Sequence, residues 1–229
     1  MGTNVHEPDQ FDQLFNSGRF RVAEQFMWEI PRLDRTSLTW RRLAMCQLMQ
    51  HDGLGLALKC ASNGIDGSSP DYIGNILRDV ALHLVRFRPS GLINIRFADY
   101  EMSGDWSELF DLIMDELESM PHDQNMSACY MMIRGRKYFA LGRYYQAEKM
   151  HRHAEARWKS TVYPNVQWMM NNRYHWYLAR VGCFGARRSR IGLSQNLCRQ
   201  ILRSDPNWKR RQIVRVLWWF GRPALRLVR

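Results

Sequence analysis

Short amphipathic runs separated by glycine recur along the chain and predict helical hairpins. Residues 18–23 read Gly-Arg-Phe-Arg-Val-Ala, and residues 142–147 read Gly-Arg-Tyr-Tyr-Gln-Ala. Residues 104–109 carry a related phrase, and residues 52–57 a weaker one. Each phrase follows one amphipathic run and opens another, so glycine supplies the turn while a small residue lets two helices approach.

One segment allows a different secondary structure. Residues 92–97 alternate apolar and polar side chains, which is compatible with a strand. No partner segment is evident, so a helix that starts after residues 89–91 is preferred. The pattern as a whole predicts an all-α protein.

The spacing of the glycine phrases resembles a known repeat family. Ala23 and Ala57 lie 34 residues apart, the period of the tetratricopeptide repeat. Residues 127–158 match that family's pattern best, through two glycines, two aromatic residues and two alanines: Gly135, Gly142, Tyr138, Tyr144, Ala147 and Ala154. Residues 97–121 look similar, with Gly104, Trp106 and Pro121, and residues 193–206 resemble a last half-unit.

The chain departs from the regular repeat in its spacing. The intervals are 52 residues from Ala57 to Leu109, 38 from Leu109 to Ala147 and 47 from Ala147 to Ser194. Additional helical turns or loops are therefore expected around residues 64–91 and 163–190. The resemblance implies a helical-hairpin solenoid of tetratricopeptide type over residues 10–206, followed by a basic amphipathic segment, 207–229.

Positive charge is concentrated at the C-terminal end. The chain carries a net charge of +11. Residues 159–229 hold 15 basic residues and one acid, Asp205, whereas residues 1–158 hold 18 basic and 21 acidic residues. Such asymmetry indicates an acidic partner: an anionic membrane, a nucleic acid or an acidic protein.

The basic C-terminal segment has two faces when it is placed on a helix. Five arginines share one stripe: Arg211, Arg215, Arg222, Arg226 and Arg229. Trp218, Trp219 and Phe220 are candidate membrane-interface residues. Three interpretations stay open, namely a terminal helix that caps the solenoid, an interfacial helix on an anionic membrane, and a nucleic-acid contact.

A second basic cluster precedes this segment. Arg187, Arg188 and Arg190 lie within residues 185–190. They are interpreted either as solvated charge between helices or as an anion site that cooperates with the terminal arginines.

The family resemblance also implies a ligand groove, lined by the first helix of each hairpin. In the best-matching unit the corresponding residues are Cys129, Met132, Arg136 and Phe139. Methionine, arginine and phenylalanine together suit an extended or helical peptide that carries an acidic group.

Catalytic and metal-binding patterns are weak. The chain shows no nucleophile elbow, phosphate loop, dinucleotide fingerprint or zinc-protease motif, so no enzymatic activity and no cofactor are expected. His151 and His153 do not share a helix face. Glu148, His151 and Glu155 do share one, and they are interpreted as a polar surface stripe.

An acidic helix face and the cysteines are two further candidate groups. Asp111, Asp115 and Glu118 form an acidic helix face, which is expected to be solvated; a dock for a basic peptide is the alternative. The five cysteines are scattered without paired spacing, which favours free thiols over disulfides or zinc: Cys46, Cys60, Cys129, Cys183 and Cys198.

Localisation follows from the N-terminus and the hydropathy. The first residues lack the pattern of a secretory signal, and no apolar run reaches spanning length. We therefore expect a cytoplasmic scaffold that binds a protein partner, with its basic segment either sealing the fold or docked at the inner membrane surface. A nucleic-acid-associated helical-repeat protein is the alternative.

Overall fold

A computed structural model of the chain describes residues 10–66, 68–69 and 71–186, apart from the side chains of 181 and 184–186. The chain divides into two compact units, Met1–Met120 and Pro121–Arg229. Helices dominate both units in the described part, as the sequence predicted, and one two-stranded sheet interrupts the first. The predicted boundary between residues 206 and 207 lies outside the described residues.

The first unit contains six described helices and one β-hairpin. The helices are α1 (Gln10–Asn16), α2 (Phe20–Trp28), α3 (Ser37–Leu48), α4 (Leu54–Ser62), α5 (Asp71–Phe87) and α6 (Trp106–Ser119). The strands are β1 (Ile93–Phe97) and β2 (Tyr100–Gly104), and a 3-10 turn spans Arg32–Asp34. The second unit contains α7 (Gln124–Ala140), α8 (Tyr144–Lys159) and α9 (Val166–Ala186).

Two of the predicted turn glycines close helical hairpins in the same way. Gly18 joins α1 to α2 with φ +80°, and Gly142 joins α7 to α8 with φ +71°. A side chain would strain the backbone at such angles. The next residue in each turn donates its N–H to a carbonyl five residues earlier: Arg19 to Leu14 at 3.0 Å and Arg143 to Tyr138 at 2.8 Å. These bonds satisfy carbonyl groups at the helix ends, and the prediction is confirmed at both turns.

The hairpin of α3 and α4 uses glycine for a different reason. Gly53 has an ordinary φ of −81°. A Cβ at this position would lie 1.8 Å from the carbonyl oxygen of Gln47. Close backbone contact, and not a left-handed turn, therefore requires glycine here.

The interpretation of residues 92–97 as a helix start was wrong. They form β1, which pairs antiparallel with β2 so that Phe97 lies opposite Tyr100. Ile95 and Phe97 are buried, and β1 packs against α4 while β2 packs against α6. The alternation was therefore a true strand signal.

The strand pairing also corrects the repeat assigned to residues 97–121. Its first eight residues, 97–104, belong to the β-hairpin, so this stretch is not a helical hairpin. Helix α6 begins after Gly104 because Asp105 caps it: the Asp105 carboxylate accepts the N–H groups of Ser107 and Glu108, and the Glu108 carboxylate accepts the N–H of Asp105. This reciprocal capping box fixes where the helix starts.

The irregular spacing has a structural explanation. Helix α5 occupies the first region where additional turns were expected, and α9 occupies the second. In the second unit α8 packs against both α7 and α9. Ala147, Ala154 and Trp158 of α8 are fully buried.

Candidate interaction sites

The four residues of the predicted groove all lie on α7, but they do not share one exposure. Cys129 and Met132 are buried, whereas Arg136 and Phe139 are half-buried. The Phe139 ring packs on the Tyr144 ring across the α7–α8 turn, with the ring centroids 5.4 Å apart. Only Arg136 and Phe139 thus offer partly exposed side chains at this place.

The polar residues of α8 lie in a buried seam, not on a surface stripe. Glu148, His151 and Glu155 are all buried, so the predicted exposure was wrong. The reason is that α9 packs over this face and supplies a polar partner at each level. We call the set the α8–α9 seam; it comprises Glu148, His151 and Glu155 with Asn172, Arg173, Trp176 and Arg180.

The two carboxylates of the seam are held by groups on α9. Glu155 Oε1 accepts bonds from Nε and Nη2 of Arg173 at 2.8 and 2.7 Å. Glu148 Oε1 accepts a bond from Trp176 Nε1 at 3.2 Å and lies 3.7 Å from Arg180 Nε. Buried charges need such partners, so this pairing sets the register of α9 on α8.

His151 sits at the centre of the seam, fully buried. Its Nδ1 lies 2.8 Å from Asn172 Oδ1, and Asn172 Nδ2 donates to the His151 carbonyl at 3.0 Å. Because an amide oxygen only accepts, Nδ1 carries the hydrogen and neutral Nε2 does not. A Cβ on Gly135 would lie 2.8 Å from Nε2, so the ring is packed directly on the α7 backbone.

Burial lowers the pKa of His151 from 6.5 to about 4, and the charge of Arg136 acts in the same direction. The imidazole is therefore neutral near neutral pH. Since the ring is closed off from solvent, the seam holds α8 and α9 together through polar contacts and does not present a titrating group to a substrate.

The first unit holds a polar cluster that ties α2 to α3. Glu24 of α2 accepts bonds from Gln47 of α3, from Gln50 in the turn after α3, and from Trp28 Nε1. The Arg35 guanidinium lies 4.5 Å from the Trp28 ring centre and 5.1 Å from that of Trp40. This cluster has no signal in the sequence, because its members come from separate stretches of the chain.

The acidic face and the cysteines are placed as predicted where the structure describes them. Asp111, Asp115 and Glu118 are exposed on α6. Cys46, Cys60, Cys129 and Cys183 are free and buried. Burial raises the pKa of Cys46 to about 12, which keeps that thiol protonated.

The two compact units carry net charges of opposite sign. Residues 1–120 hold 11 basic and 18 acidic residues, a net charge of −7. Residues 121–229 hold 22 basic and 4 acidic residues, a net charge of +18. The whole second unit is therefore basic, and not residues 159–229 alone.

Large exposed apolar side chains occur in both units. In the first, Val22 and Leu56 lie 34 residues apart on α2 and α4, at equivalent positions beside the buried Ala23 and Ala57. In the second, Val162 and Tyr163 stand at 83% and 85% exposure in the loop between α8 and α9. The sequence predicted neither set of exposed residues, since the exposure of a side chain depends on how the helices pack.

The candidate lipid- and anion-binding residues lie outside the described residues. They are Arg187, Arg188, Arg190, Arg211, Arg215, Arg222, Arg226 and Arg229, together with Trp218, Trp219 and Phe220.

The described part of the chain contains neither a membrane-spanning helix nor a metal-binding cluster. None of the described helices combines the length and apolar character needed to cross a bilayer. Within residues 10–186, as far as they are described, no three His, Cys, Asp or Glu side chains gather in a way that could hold a metal ion.

Comparison with protein-family models, with curated proteins and with solved structures finds no match to this chain.

Proposed function

We propose that the chain is a protein-interaction scaffold of tetratricopeptide type, whose basic C-terminal segment docks it on an anionic membrane surface. The scaffold proposal rests on one observation, a helical-hairpin design that recurs along the chain. Hairpins α1–α2 and α7–α8 share a left-handed turn glycine and a buried alanine five residues later: Gly18 with Ala23, and Gly142 with Ala147.

The surface proposed for a protein partner lies on the first unit. Val22 and Leu56 repeat at the 34-residue interval of the buried alanines and are about half exposed. Apolar residues that recur at equivalent positions of stacked hairpins can contact successive turns of one bound helix or peptide.

Changing Val22 and Leu56 together to serine tests this surface. The tagged full chain is used to capture its protein partner from an extract of the cells that produce it. We expect the affinity for that partner to fall about tenfold, since a loss of about 1.4 kcal/mol of binding free energy has that effect. The control changes Leu33 and Leu92 to serine, which are 99% and 74% exposed and outside the repeat positions. Equal capture by both variants would contradict the assignment.

Charge supports the membrane half of the proposal. The second unit carries a net charge of +18, and each basic residue near an anionic bilayer contributes about 1 kcal/mol. Placed on a helix, the sequence of residues 208–229 has a wide apolar side opposite the arginines, and such a side favours lipid over a purely ionic contact.

Neutralising the terminal arginines tests that half. We expect the change of Arg211, Arg215, Arg222, Arg226 and Arg229 to glutamine to reduce binding to phosphatidylserine vesicles more than tenfold. Five exposed arginines of the first unit provide a control of equal charge: Arg19, Arg21, Arg32, Arg86 and Arg96. Similar losses of vesicle binding in the two variants would show that net charge alone determines the binding.

Nucleic-acid binding is the second candidate function. Between Glu155 and Asp205 the chain contains no acidic residue, and such an uninterrupted basic stretch attracts phosphate groups of any kind. Salt-sensitive retention on RNA, without binding to anionic vesicles, would favour this alternative.

A further inference from the structure

The loop between α8 and α9 presents an exposed apolar tip. Val162 and Tyr163 belong to the loop and Val166 is the first residue of α9. Their exposed fractions are 83%, 85% and 67%. We call these three residues the apolar tip. Three large apolar side chains exposed within five positions are unusual on a protein surface that contacts only water.

The loop that carries the tip is fixed in place by specific bonds. Asn125 at the start of α7 donates from Nδ2 to the Tyr163 carbonyl at 3.0 Å, and its Oδ1 accepts the Asn165 N–H at 2.9 Å. Asn165 Oδ1 in turn accepts the Trp168 N–H at 3.0 Å, which caps α9. Trp158, just before the loop, is fully buried. The apolar side chains are thus held outward by an ordered backbone.

The surroundings of the tip are basic. Arg157 and Lys159 lie in the last turn of α8 and are exposed. Glu155, the nearest acid before them, is buried and bound to Arg173. At the same end of the unit Asp123 is committed to capping α7, since its carboxylate accepts the Met126 N–H at 2.7 Å.

We infer that the apolar tip inserts into the interfacial layer of an anionic bilayer while Arg157 and Lys159 contact lipid phosphates. This inference rests on the proposed membrane docking and adds a second contact to that of the C-terminal segment. A tyrosine at headgroup depth keeps its hydroxyl in water and its ring among the acyl chains. Two contacts on one surface also strengthen each other, because the second binds as an intramolecular event.

The chemistry of the tip favours lipid over nucleic acid. Tyr163 could stack on a base, but the branched aliphatic side chains of Val162 and Val166 offer neither a hydrogen bond nor a ring face. Burial in hydrocarbon is the contact that all three side chains share.

Vesicle flotation of the full chain tests the inference. The variant changes Val162, Tyr163 and Val166 to serine, and the control changes three exposed leucines of the first unit, Leu33, Leu38 and Leu92, to serine. With vesicles of phosphatidylcholine and phosphatidylserine, we expect the tip variant to partition at least about tenfold more weakly than the parent chain. The control should match the parent, and both variants should melt as the parent does because the changed side chains are exposed.

The outcomes separate this inference from the proposed function. If the tip variant partitions like the parent while the terminal-arginine variant does not, the tip inference fails and the C-terminal docking stands. If the parent binds no anionic vesicle, both fail. If the tip variant loses RNA retention but keeps its vesicle binding, the tip is a nucleic-acid contact and the inference is overturned.

Discussion

Alanine in place of Gly53 will destabilise the first unit by about 3 kcal/mol, at the upper end of the usual cost of overpacking. The added Cβ would lie 1.8 Å from the Gln47 carbonyl oxygen and 2.5 Å from its carbon. These are backbone atoms that cannot rotate away, so the turn between α3 and α4 must open. Opening it would displace Ala57, Leu58 and Ala61, which α4 contributes to the core.

Gly55 provides the matched control, two residues further along α4. Apart from the glycine itself, its chain neighbours and the backbone of its own helix, no atom lies within 4 Å of the position that a Cβ would take. The change to alanine there removes the helix cost of glycine and should stabilise the unit by up to about 1 kcal/mol. Amide hydrogen exchange across α3 and α4 in the full chain measures both effects; equal protection in the two variants would contradict the packing argument.

Acidification will weaken the second unit through His151. The unfolded chain binds a proton near pH 6.5, whereas burial holds the pKa of the folded His151 at about 4. Above pH 6.5 both states are neutral and the residue has no effect. As the pH falls from 6.5 to 4 only the unfolded state gains the proton, so the free energy of unfolding drops by roughly 3 kcal/mol in total and then levels off.

The change of His151 to asparagine isolates this contribution. Asparagine keeps an N–H group near the position of Nδ1 but does not titrate, and its smaller volume lowers stability at pH 7. We therefore expect the stability gap between parent and variant to narrow by roughly 3 kcal/mol between pH 6.5 and pH 4. A constant gap would show that His151 titrates normally. Burial also lowers the pKa of His83 in the first unit, but that effect is common to both chains.

Local signals in the sequence predicted the elements that depend on neighbouring residues. The left-handed turns at Gly18 and Gly142 follow from glycine between two amphipathic runs, and both form. Gly53 was correctly placed in a turn, but its contact with Gln47 could not be read from the spacing. Residues 92–97 were expected to start a helix because no partner strand was evident; the partner strand β2 alternates weakly and ends in Gly104.

The candidate sites were predicted less completely, because exposure depends on which helices pack together. Glu148, His151 and Glu155 share a helix face, and nothing local shows that α9 covers it. The excess of positive charge was evident from composition, but its coincidence with the unit that begins at Pro121 required the fold. The apolar tip of Val162, Tyr163 and Val166 was not predicted, because the exposure of an apolar side chain depends on which helices pack around it.

The most direct test of the proposed function is flotation of the unmodified full chain with phosphatidylserine vesicles, at low and high salt, with RNA as a competitor. We expect the chain to float at low salt, high salt to weaken the binding, and RNA to leave a bound fraction held by apolar contacts. If the chain stays at the bottom of the gradient at low salt, or if RNA displaces it completely, the docking of this scaffold on an anionic membrane is wrong.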